Sequence, residues 1–338
     1  MGGGTYIMTM PIVYPWQQAP WQSLLKRRSG QGLAHAFLMS GVAGVGKQHF
    51  VNALSAWLLC QQPDPAHGAC GRCKSCQLWQ AESHPDYRLV QAQTDEKTGK
   101  VSKVIKVEQV RELIEFLNKS PQLNGYRVAV IAAADTLNSN AANSLLKTLE
   151  EPGEKTAIFL ITEQAQAILP TLRSRCQHLT LTAPNTQQAL AWLMPQLTQP
   201  EQAPLLLALT ENAPLAALAL TQQAGFTIRQ PLAQHLLAVR QKKQSSLQIA
   251  QHWQKQAKPE DMFWAMQLLL SDVLLLSLGQ ASAIKNRDLL PIMTEIAANS
   301  TSVALNQWHQ YCSEAMRLLS ANIQPALLID NFWQQLAS

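Results

Sequence analysis

The stretch His35-Ala-Phe-Leu-Met-Ser-Gly-Val-Ala-Gly-Val-Gly-Lys-Gln48 decides the fold of this chain. Its apolar beginning predicts a buried strand, and Lys47 opens a segment of helical periodicity after a glycine-rich turn. This layout matches the phosphate-binding loop Gly-x-x-x-x-Gly-Lys-[Ser/Thr], in which backbone N–H groups and a helix N-terminus surround phosphate oxygens. A glycine-rich turn without function is the alternative, but the spacing together with the lysine favours the phosphate loop. The residues of this loop are Gly41, Gly44, Gly46 and Lys47.

One position departs from the motif. Where a Ser or Thr hydroxyl would hold Mg²⁺, the chain carries Gln48, whose amide is a bulkier and poorer ligand. The sequence therefore predicts the fold of a nucleotide site without a working site. We expect the loop to be degenerate and ATP not to be bound productively.

Composition limits the class of protein. The chain has 338 residues, 47% of them hydrophobic and 14% charged, which is typical of two or three globular domains and excludes a disordered chain. A net charge of +5 permits contact with nucleic acid without requiring it. The N-terminus lacks the pattern of a signal peptide, and the longest apolar stretch, 262–278, is shorter than the roughly 20 residues of a membrane span. We expect a cytoplasmic protein with no membrane partner.

Four of the six cysteines lie close together in the sequence: Cys60, Cys70, Cys73 and Cys76. Because intracellular thiols stay reduced, such a cluster is better explained by metal binding than by disulfides. Four soft ligands suit a closed tetrahedral Zn²⁺ site, so we expect structural zinc here. His67 is the competing ligand, which we assign to a solvated loop. Cys176 and Cys312 are expected to be ordinary thiols.

Apolar runs separated by stretches of helical period predict an α/β domain with a parallel sheet. The predicted strands are 36–40, 87–90, 104–107, 127–134, 157–162 and 179–181. Beyond Pro184 the residues Leu, Ala and Gln dominate and helical periodicity is continuous. The predicted organisation is a tag-like or disordered N-terminus at 1–13, an α/β domain at 14–182, a small helical domain at 183–223 and a larger helical domain at 224–338.

The segment Asn143-Ser-Leu-Leu-Lys-Thr-Leu-Glu-Glu-Pro152 resembles the clamp-loader subunits of bacterial DNA polymerase III. Four further segments are similar to that family in the same order: His35–38, 105–113, Ser174-Arg-Cys176 and 322–329. The resemblance implies a P-loop domain of the AAA+ type, a helical lid and a helical collar used in oligomerisation. It also implies the partners: gamma/tau and delta subunits in a pentameric ring that loads the sliding clamp onto primed DNA.

Residues that active members of this family use are missing here. In those members the strand that matches 128–131 runs into Asp-Glu, which hold Mg²⁺ and orient the attacking water. This chain has Ala132 and Ala133 instead, and only Asp135 remains, which we expect to cap a helix. The lid arginine that senses nucleotide aligns with Leu215. The resemblance therefore implies the subunit that hydrolyses nothing itself. The alternatives are an active gamma/tau-like ATPase subunit and a degenerate AAA+ zinc protein that acts outside replication.

The resemblance assigns a role to Arg175, within Ser174-Arg175-Cys176. In the family this arginine is a finger that reaches the γ-phosphate of ATP bound by a neighbouring subunit, a task that suits the always-charged, planar guanidinium. A surface arginine without function is the alternative. Thr162 matches a sensing position that we expect to be vestigial. Lys147 and Thr148 are expected to have structural roles, and the lysines at 97, 100, 103 and 106 either contact DNA phosphates or belong to a solvated loop.

Overall fold

A computed structural model describes residues 10–29, 32–64, 68–92, 104–123, 125–319 and 323–337. The chain divides into two compact units, Met1–Gln188 and Ala189–Ser338. Most of the predicted N-terminal segment 1–13 lies outside the described residues, as do His67, the lysines at 97, 100 and 103, and the start of the segment 322–329.

The first unit is built on a sheet of five parallel strands in the order β2-β3-β4-β1-β5. The strands are β1 (Ala36–Ser40), β2 (Tyr87–Val90), β3 (Arg127–Ile131), β4 (Thr156–Thr162) and β5 (Gln177–Thr180). β3 and β4 are buried along their whole length, because parallel strands are covered on both faces and therefore consist of continuous apolar runs. The predicted P-loop type α/β domain with a parallel sheet is confirmed.

Helices cover both faces of this sheet. The helices of this unit are α1 (Gln18–Ser29), α2 (Lys47–Leu59), α3 (Lys74–Gln80), α4 (Val107–Leu117), α5 (Ser139–Glu150) and α6 (Pro170–Arg173). The next helix, α7 (Thr186–Leu193), spans the division between the two units and contributes Ala189 and Leu193 to a core of the second unit. Leu38, Ile131 and Leu160 pack against α4 and α5 in one core, whereas α2 packs against β3 and β4. This alternation follows from the two-residue period of strands.

Two predicted strands differ from the structure. The stretch 104–107 is no strand: Ile105 forms an isolated bridge with Leu137, and α4 already begins at Val107. The side chain of Ile105 is fully buried in the core beside α4 and α5, which explains the apolar residue in this stretch. β3 ends at Ile131 instead of residue 134, because Ala133 takes a positive φ of 54° that starts a turn.

The second unit contains helices and no strand among its described residues. Its helices are α8 (Ala203–Leu209), α9 (Pro214–Leu220), α10 (Ala224–Thr227), α11 (Arg229–Arg240), α12 (Ser246–Gln256), α13 (Pro259–Ser277), α14 (Leu290–Ala298), α15 (Ser302–Leu319) and α16 (Pro325–Ala337). One hydrophobic core joins residues between Ala189 and Leu220, and another joins residues between Leu232 and Leu336. The predicted all-helical C-terminal region is confirmed, and the domain boundaries at 183 and 224 stay predictions.

The apolar stretch 262–278 forms most of α13 and is a core helix. Its polar interruption Asp272 is buried and accepts hydrogen bonds from the backbone N–H groups of Lys285 and Asn286. No single helix in the described part of the chain is long and apolar enough to cross a membrane. By length and composition alone, the bent pair Pro200–Leu209 and Pro214–Leu220 meets the criterion when the two helices are taken together.

Candidate functional site

The phosphate-binding loop joins β1 to α2, as the sequence predicts. Gly44 and Gly46 have φ angles of 79° and 85°, in the left-handed region that favours glycine, and Gly46 is the residue before the first turn of α2. At Gly41 the reason for glycine is space, since a Cβ atom there would lie 2.3 Å from the carbonyl oxygen of Leu181. The loop is therefore intact as a backbone feature.

The ammonium group of Lys47 is used inside the loop. It donates hydrogen bonds to the carbonyl oxygens of Gly41 at 2.7 Å and Val42 at 3.0 Å, and Glu163 Oε1 lies 3.7 Å away. Burial lowers the pKa of Lys47, and the nearby carboxylates of Glu163 and Asp135 oppose that shift. The lysine therefore holds the loop in a closed conformation with partners from the chain itself.

The segment before α1 adds further contacts to the loop. Gln17, which is fully buried, donates hydrogen bonds to the carbonyl oxygens of Val45 at 2.9 Å and Gly46 at 3.0 Å. Trp16 Nε1 donates to the same Val45 oxygen at 2.9 Å. The sequence analysis did not identify these contacts, because no local motif links residues that are almost thirty positions apart.

The positions that the sequence analysis assigned to Mg²⁺ and water carry Gln48, Ala132 and Ala133. Gln48 Nε2 donates to Asn52 Oδ1 at 2.9 Å, one turn along α2 and away from the loop. Ala132 and Ala133 follow β3 with methyl side chains. Thr162 Oγ1, at the end of β4, accepts a hydrogen bond from the backbone N–H of Gln164 at 3.0 Å.

The prediction that Asp135 caps a helix is wrong. The cap of α5 is Asn138, whose Oδ1 accepts a hydrogen bond from the N–H of Ala141 at 2.8 Å. Asp135 lies in a short 3₁₀ turn before it, and its buried Oδ1 has no hydrogen-bond partner among the described residues. The carboxylate instead acts at a distance on Lys47, because it favours the charged form of the ammonium.

The four clustered cysteines come together in space at the far end of α2. All four Sγ atoms lie within 4.8 Å of one another, and the distances are 3.8 Å for Cys60–Cys73, 3.9 Å for Cys70–Cys76 and 3.6 Å for Cys60–Cys76. These distances are far longer than a disulfide bond of about 2.05 Å. The cluster is therefore a set of free thiols that could hold a metal ion.

The backbone around the cluster favours thiolates. The amides of Cys70 and Cys76 donate to the Sγ atoms of Cys60 at 3.3 Å and Cys73 at 3.5 Å, respectively. A hydrogen bond from the backbone N–H of Arg72 lowers the pKa of Cys70 to about 6. Burial acts in the opposite direction on Cys60 and Cys76 and raises the pKa of both thiols. The backbone hydrogen bonds therefore favour the metal-binding thiolate, and burial opposes it.

A buried chain of hydrogen bonds connects Ser75, between the cysteines of the cluster, with Leu59 and His84. Ser75 Oγ donates to the carbonyl oxygen of Leu59 at 2.7 Å and lies 2.7 Å from His84 Nε2. The N–H of Asp86 donates to His84 Nδ1 at 3.1 Å, so Nε2 carries the proton and donates to Ser75. Burial lowers the pKa of His84, which keeps the ring neutral. Sequence reasoning missed His84, since no spacing links it to the cysteines.

Arg175 lies two residues after α6 with its side chain 33% exposed. Its guanidinium forms an ion pair with Glu150, the last residue of α5, and donates to the carbonyl oxygen of Thr171 at 2.9 Å. Its neighbour Cys176 is buried, and that burial raises the pKa of the thiol to about 11. The main chain of Arg175 thus belongs to a packed segment, and its side chain remains partly exposed.

The first unit holds the loop, the cysteine cluster and Arg175. The loop and the cluster lie at opposite ends of α2, a helix of about 20 Å. Lys106 is exposed immediately before α4, and Leu215 lies in α9 of the second unit.

A parallel sheet with a phosphate loop between its strand β1 and helix α2 defines this chain as an α/β protein of the P-loop class. The family model for the DNA polymerase III delta subunit matches residues 16–185, and the model for the C-terminal part of the delta subunit matches residues 223–336. DNA polymerase III subunit delta' of Pseudomonas aeruginosa is 37% identical over 257 residues, which cover 75% of each chain. The same subunit of Yersinia pestis is 37% identical over 300 residues, 87% of this chain and 86% of that one. The chain therefore belongs to the family of DNA polymerase III delta-prime subunits.

Among solved structures, a DNA polymerase III gamma subunit-related protein from Thermotoga maritima is similar with a TM-score of 0.47 and 16% identity. The match covers 95% of this chain and 98% of that one.

Proposed function

We propose that this chain is the catalytically silent subunit of a clamp loader in the cytoplasm. In this function it assembles with gamma/tau and delta subunits in a pentameric ring, and the ring opens the sliding clamp and loads it onto primed DNA. Membership of the delta-prime family supports the assignment to DNA polymerase III. The observation that supports the silent role is a phosphate loop whose expected positions for Mg²⁺ and water carry Gln48, Ala132 and Ala133.

The chemistry of ATP hydrolysis needs two parts that this chain lacks. A metal ion must neutralise the charge on the phosphates, and a carboxylate or amide must orient the attacking water. The amide nitrogen of Gln48 is bonded along α2, and Ala132 and Ala133 have no side-chain oxygen. The ammonium of Lys47 is already engaged with loop carbonyls. The chain therefore does not turn over ATP by itself.

Arg175 supplies the contribution of this subunit to hydrolysis. It is partly exposed on a packed element, and three of its five N–H groups are bound within the chain. A guanidinium in this state can offer its remaining donors to the γ-phosphate oxygens of ATP held by a neighbouring subunit. In this role Arg175 is an arginine finger that acts in trans and stabilises charge in the transition state.

The cysteine cluster holds structural Zn²⁺ in this proposal. A Zn–S distance of about 2.3 Å in a regular tetrahedron gives sulfur–sulfur edges of about 3.8 Å, which fits the separations of the Sγ atoms. Cys60, Cys70, Cys73 and Cys76 fill all four positions, so the ion would have no open position for substrate. The bound ion would join the end of α2 to the start of α3 and so stabilise the fold.

The experiment that tests the assignment is co-purification at native abundance from a lysate of the source cells. We expect the tagged full-length chain to retain the gamma/tau and delta subunits in constant ratio through a salt wash. Recovery of the chain without them would contradict the clamp-loader assignment and favour a zinc protein outside replication. Binding of Mg²⁺-ATP by the purified chain, followed by hydrolysis, would favour an active ATPase subunit instead.

A further inference from the structure

The ion pair between Glu150 and Arg175 joins two elements that are separated by 25 residues of sequence. Glu150 ends α5, and Arg175 follows α6, and these two helices pack against each other. Arg175 Nε donates to Glu150 Oε1 at 2.8 Å, and one terminal nitrogen of the guanidinium donates to the same oxygen. The carboxylate therefore holds one edge of the guanidinium.

The donor groups of Arg175 are divided between the chain and solvent. A guanidinium has five N–H groups: one on Nε and two on each terminal nitrogen. Glu150 takes the Nε–H group and one N–H of a terminal nitrogen, and the carbonyl oxygen of Thr171 takes one N–H of the other. One N–H group on each terminal nitrogen has no partner among the described residues. These two N–H groups remain available to donate hydrogen bonds to phosphate oxygens.

Both residues of the ion pair are flanked in the sequence by buried residues. Leu149, which precedes Glu150, is 2% exposed, and Leu172 and Cys176, on either side of Arg175, are also buried in the same core. The main chain of each residue is therefore fixed, and only the long arginine side chain has freedom to lose. The ion pair with Glu150 restricts that freedom.

We propose that Glu150 is a positioning residue for Arg175, an inference that rests on the proposed trans role of this arginine. Glu150 holds the Nε edge of the guanidinium so that its two remaining N–H groups face the γ-phosphate of ATP in the neighbouring subunit. An arginine that is already oriented loses less conformational freedom when it forms hydrogen bonds to phosphate. Glu150 itself touches no substrate and acts only through Arg175.

The test uses the assembled clamp loader, with ATP, the sliding clamp and primed DNA present. The quantity to measure is the Arg175-dependent rate, defined as the ATPase rate of the wild-type loader minus that of the loader with Arg175→Ala. Exposed ion pairs have modest effects, so we expect Glu150→Ala to lower this rate about 2- to 5-fold. Glu150→Gln keeps a carbonyl oxygen that can accept from Nε, and we expect it to retain more of the rate than Glu150→Ala.

A matched control and a double variant separate positioning from a structural effect. Glu151→Ala removes the same charge one residue away and is expected to leave the rate unchanged, since Glu151 is exposed at the end of α5. In the Arg175→Ala background, Glu150→Ala should have no further effect, because it acts through the arginine. Melting temperature and loader assembly should be unaffected in all single variants.

Each other result would overturn the proposal in a recognisable way. An unchanged rate with Glu150→Ala, while Arg175→Ala lowers the rate, would leave the trans role intact and exclude positioning. A higher rate with Glu150→Ala would mean that the carboxylate competes with phosphate for the arginine. An equal loss with and without Arg175 would assign Glu150 an independent role. No effect of Arg175→Ala itself would refute the proposed function and this inference with it.

Discussion

The side-chain amide of Gln48 donates a hydrogen bond to Asn52 Oδ1 at 2.9 Å, along the surface of α2 and away from the phosphate loop. An amide in this position stabilises the first turns of the helix, as polar pairs four residues apart do. At the position where the phosphate-loop motif has a Mg²⁺-binding hydroxyl, the chain therefore carries an amide whose nitrogen is bonded along the helix.

The first prediction is that the isolated chain does not hydrolyse ATP. We expect no Mg²⁺-dependent phosphate release above background, because metal ligation and water positioning are both absent. The single changes Gln48→Thr, Ala132→Asp and Ala133→Glu should not create activity, since each restores either metal ligation or water positioning but not both. A coupled phosphate-release assay on contaminant-free protein measures this.

The triple variant that combines these changes is the fair test of whether the remaining fold is competent. Its binding of Mg²⁺-ATP should exceed that of the wild-type chain. Measurable Mg²⁺-dependent hydrolysis by the unmodified, contaminant-free protein would contradict the prediction.

The second prediction concerns the metal. We expect one Zn²⁺ per chain and its loss when Cys73→Ser removes one of the four thiolates. Structural zinc contributes to folding free energy, so the variant should lose at least about 2 kcal/mol, or roughly 4–8 °C of melting temperature. Metal analysis by mass spectrometry and thermal unfolding measure the two effects.

Cys312 provides the control for this prediction, because it is a buried cysteine of the second unit that is remote in sequence from the cluster. Cys312→Ala should lower stability through packing and leave the zinc content at one equivalent. Full zinc occupancy in Cys73→Ser would show that the cluster is not the metal site.

The third prediction concerns Arg175 in the assembled loader. Arg175→Ala should leave folding, zinc content and ring assembly nearly unchanged and lower the clamp- and DNA-stimulated ATPase rate. An arginine finger contributes about 10³- to 10⁵-fold at the site that it serves, although the total rate falls less because other sites keep their own arginines. Arg175→Lys should rescue poorly, since a point charge does not reproduce the planar fork.

Arg173, the last residue of α6, is the neighbouring control, and Arg173→Ala should be much milder. Equal ATPase rates for the wild-type loader and the loader with Arg175→Ala would contradict the trans role of Arg175.

The fourth prediction is a pH dependence of stability that comes from His84. Burial lowers the pKa of His84, so the unfolded chain binds the proton more readily than the folded chain. The stabilising contribution of the neutral ring is therefore complete above the unfolded pKa of about 6.5 and is lost as the pH falls from there through the folded pKa. Melting temperature should decrease over this range.

Protonation of the cysteine thiolates also lowers stability as the pH falls. The variant His84→Gln separates this cause from the titration of His84. The variant keeps all four cysteines but carries no titrating ring, so its melting temperature should fall less steeply below pH 6.5 than that of the wild type. Parallel profiles for the two proteins would assign the whole pH dependence to other groups.

The sequence was sufficient for the fold and for most of the candidate site because the relevant signals are local. The apolar runs that became β3 and β4 are continuous, as in strands covered on both faces. The loop glycines and the cysteines of the cluster are also close in sequence, so their spacing alone predicted what the structure brings together.

The features that were missed depend on contacts between distant segments. Ile105 is a single buried residue whose core position does not require a strand. The choice of Asn138 over Asp135 as the cap of α5 follows from where the 3₁₀ turn ends, which no propensity specifies. The partnership of Glu150 with Arg175 exists only because α5 and α6 pack together.

The two hydrogen bonds from the Lys47 ammonium to Gly41 and Val42 have a consequence for the working cycle of a loader. A loop that is held by oxygens of its own backbone has no need of a nucleotide to reach its shape. We therefore expect the same loop geometry at any ratio of ATP to ADP. In the proposed ring, this loop would therefore not respond to the nucleotides that the neighbouring subunits bind and hydrolyse.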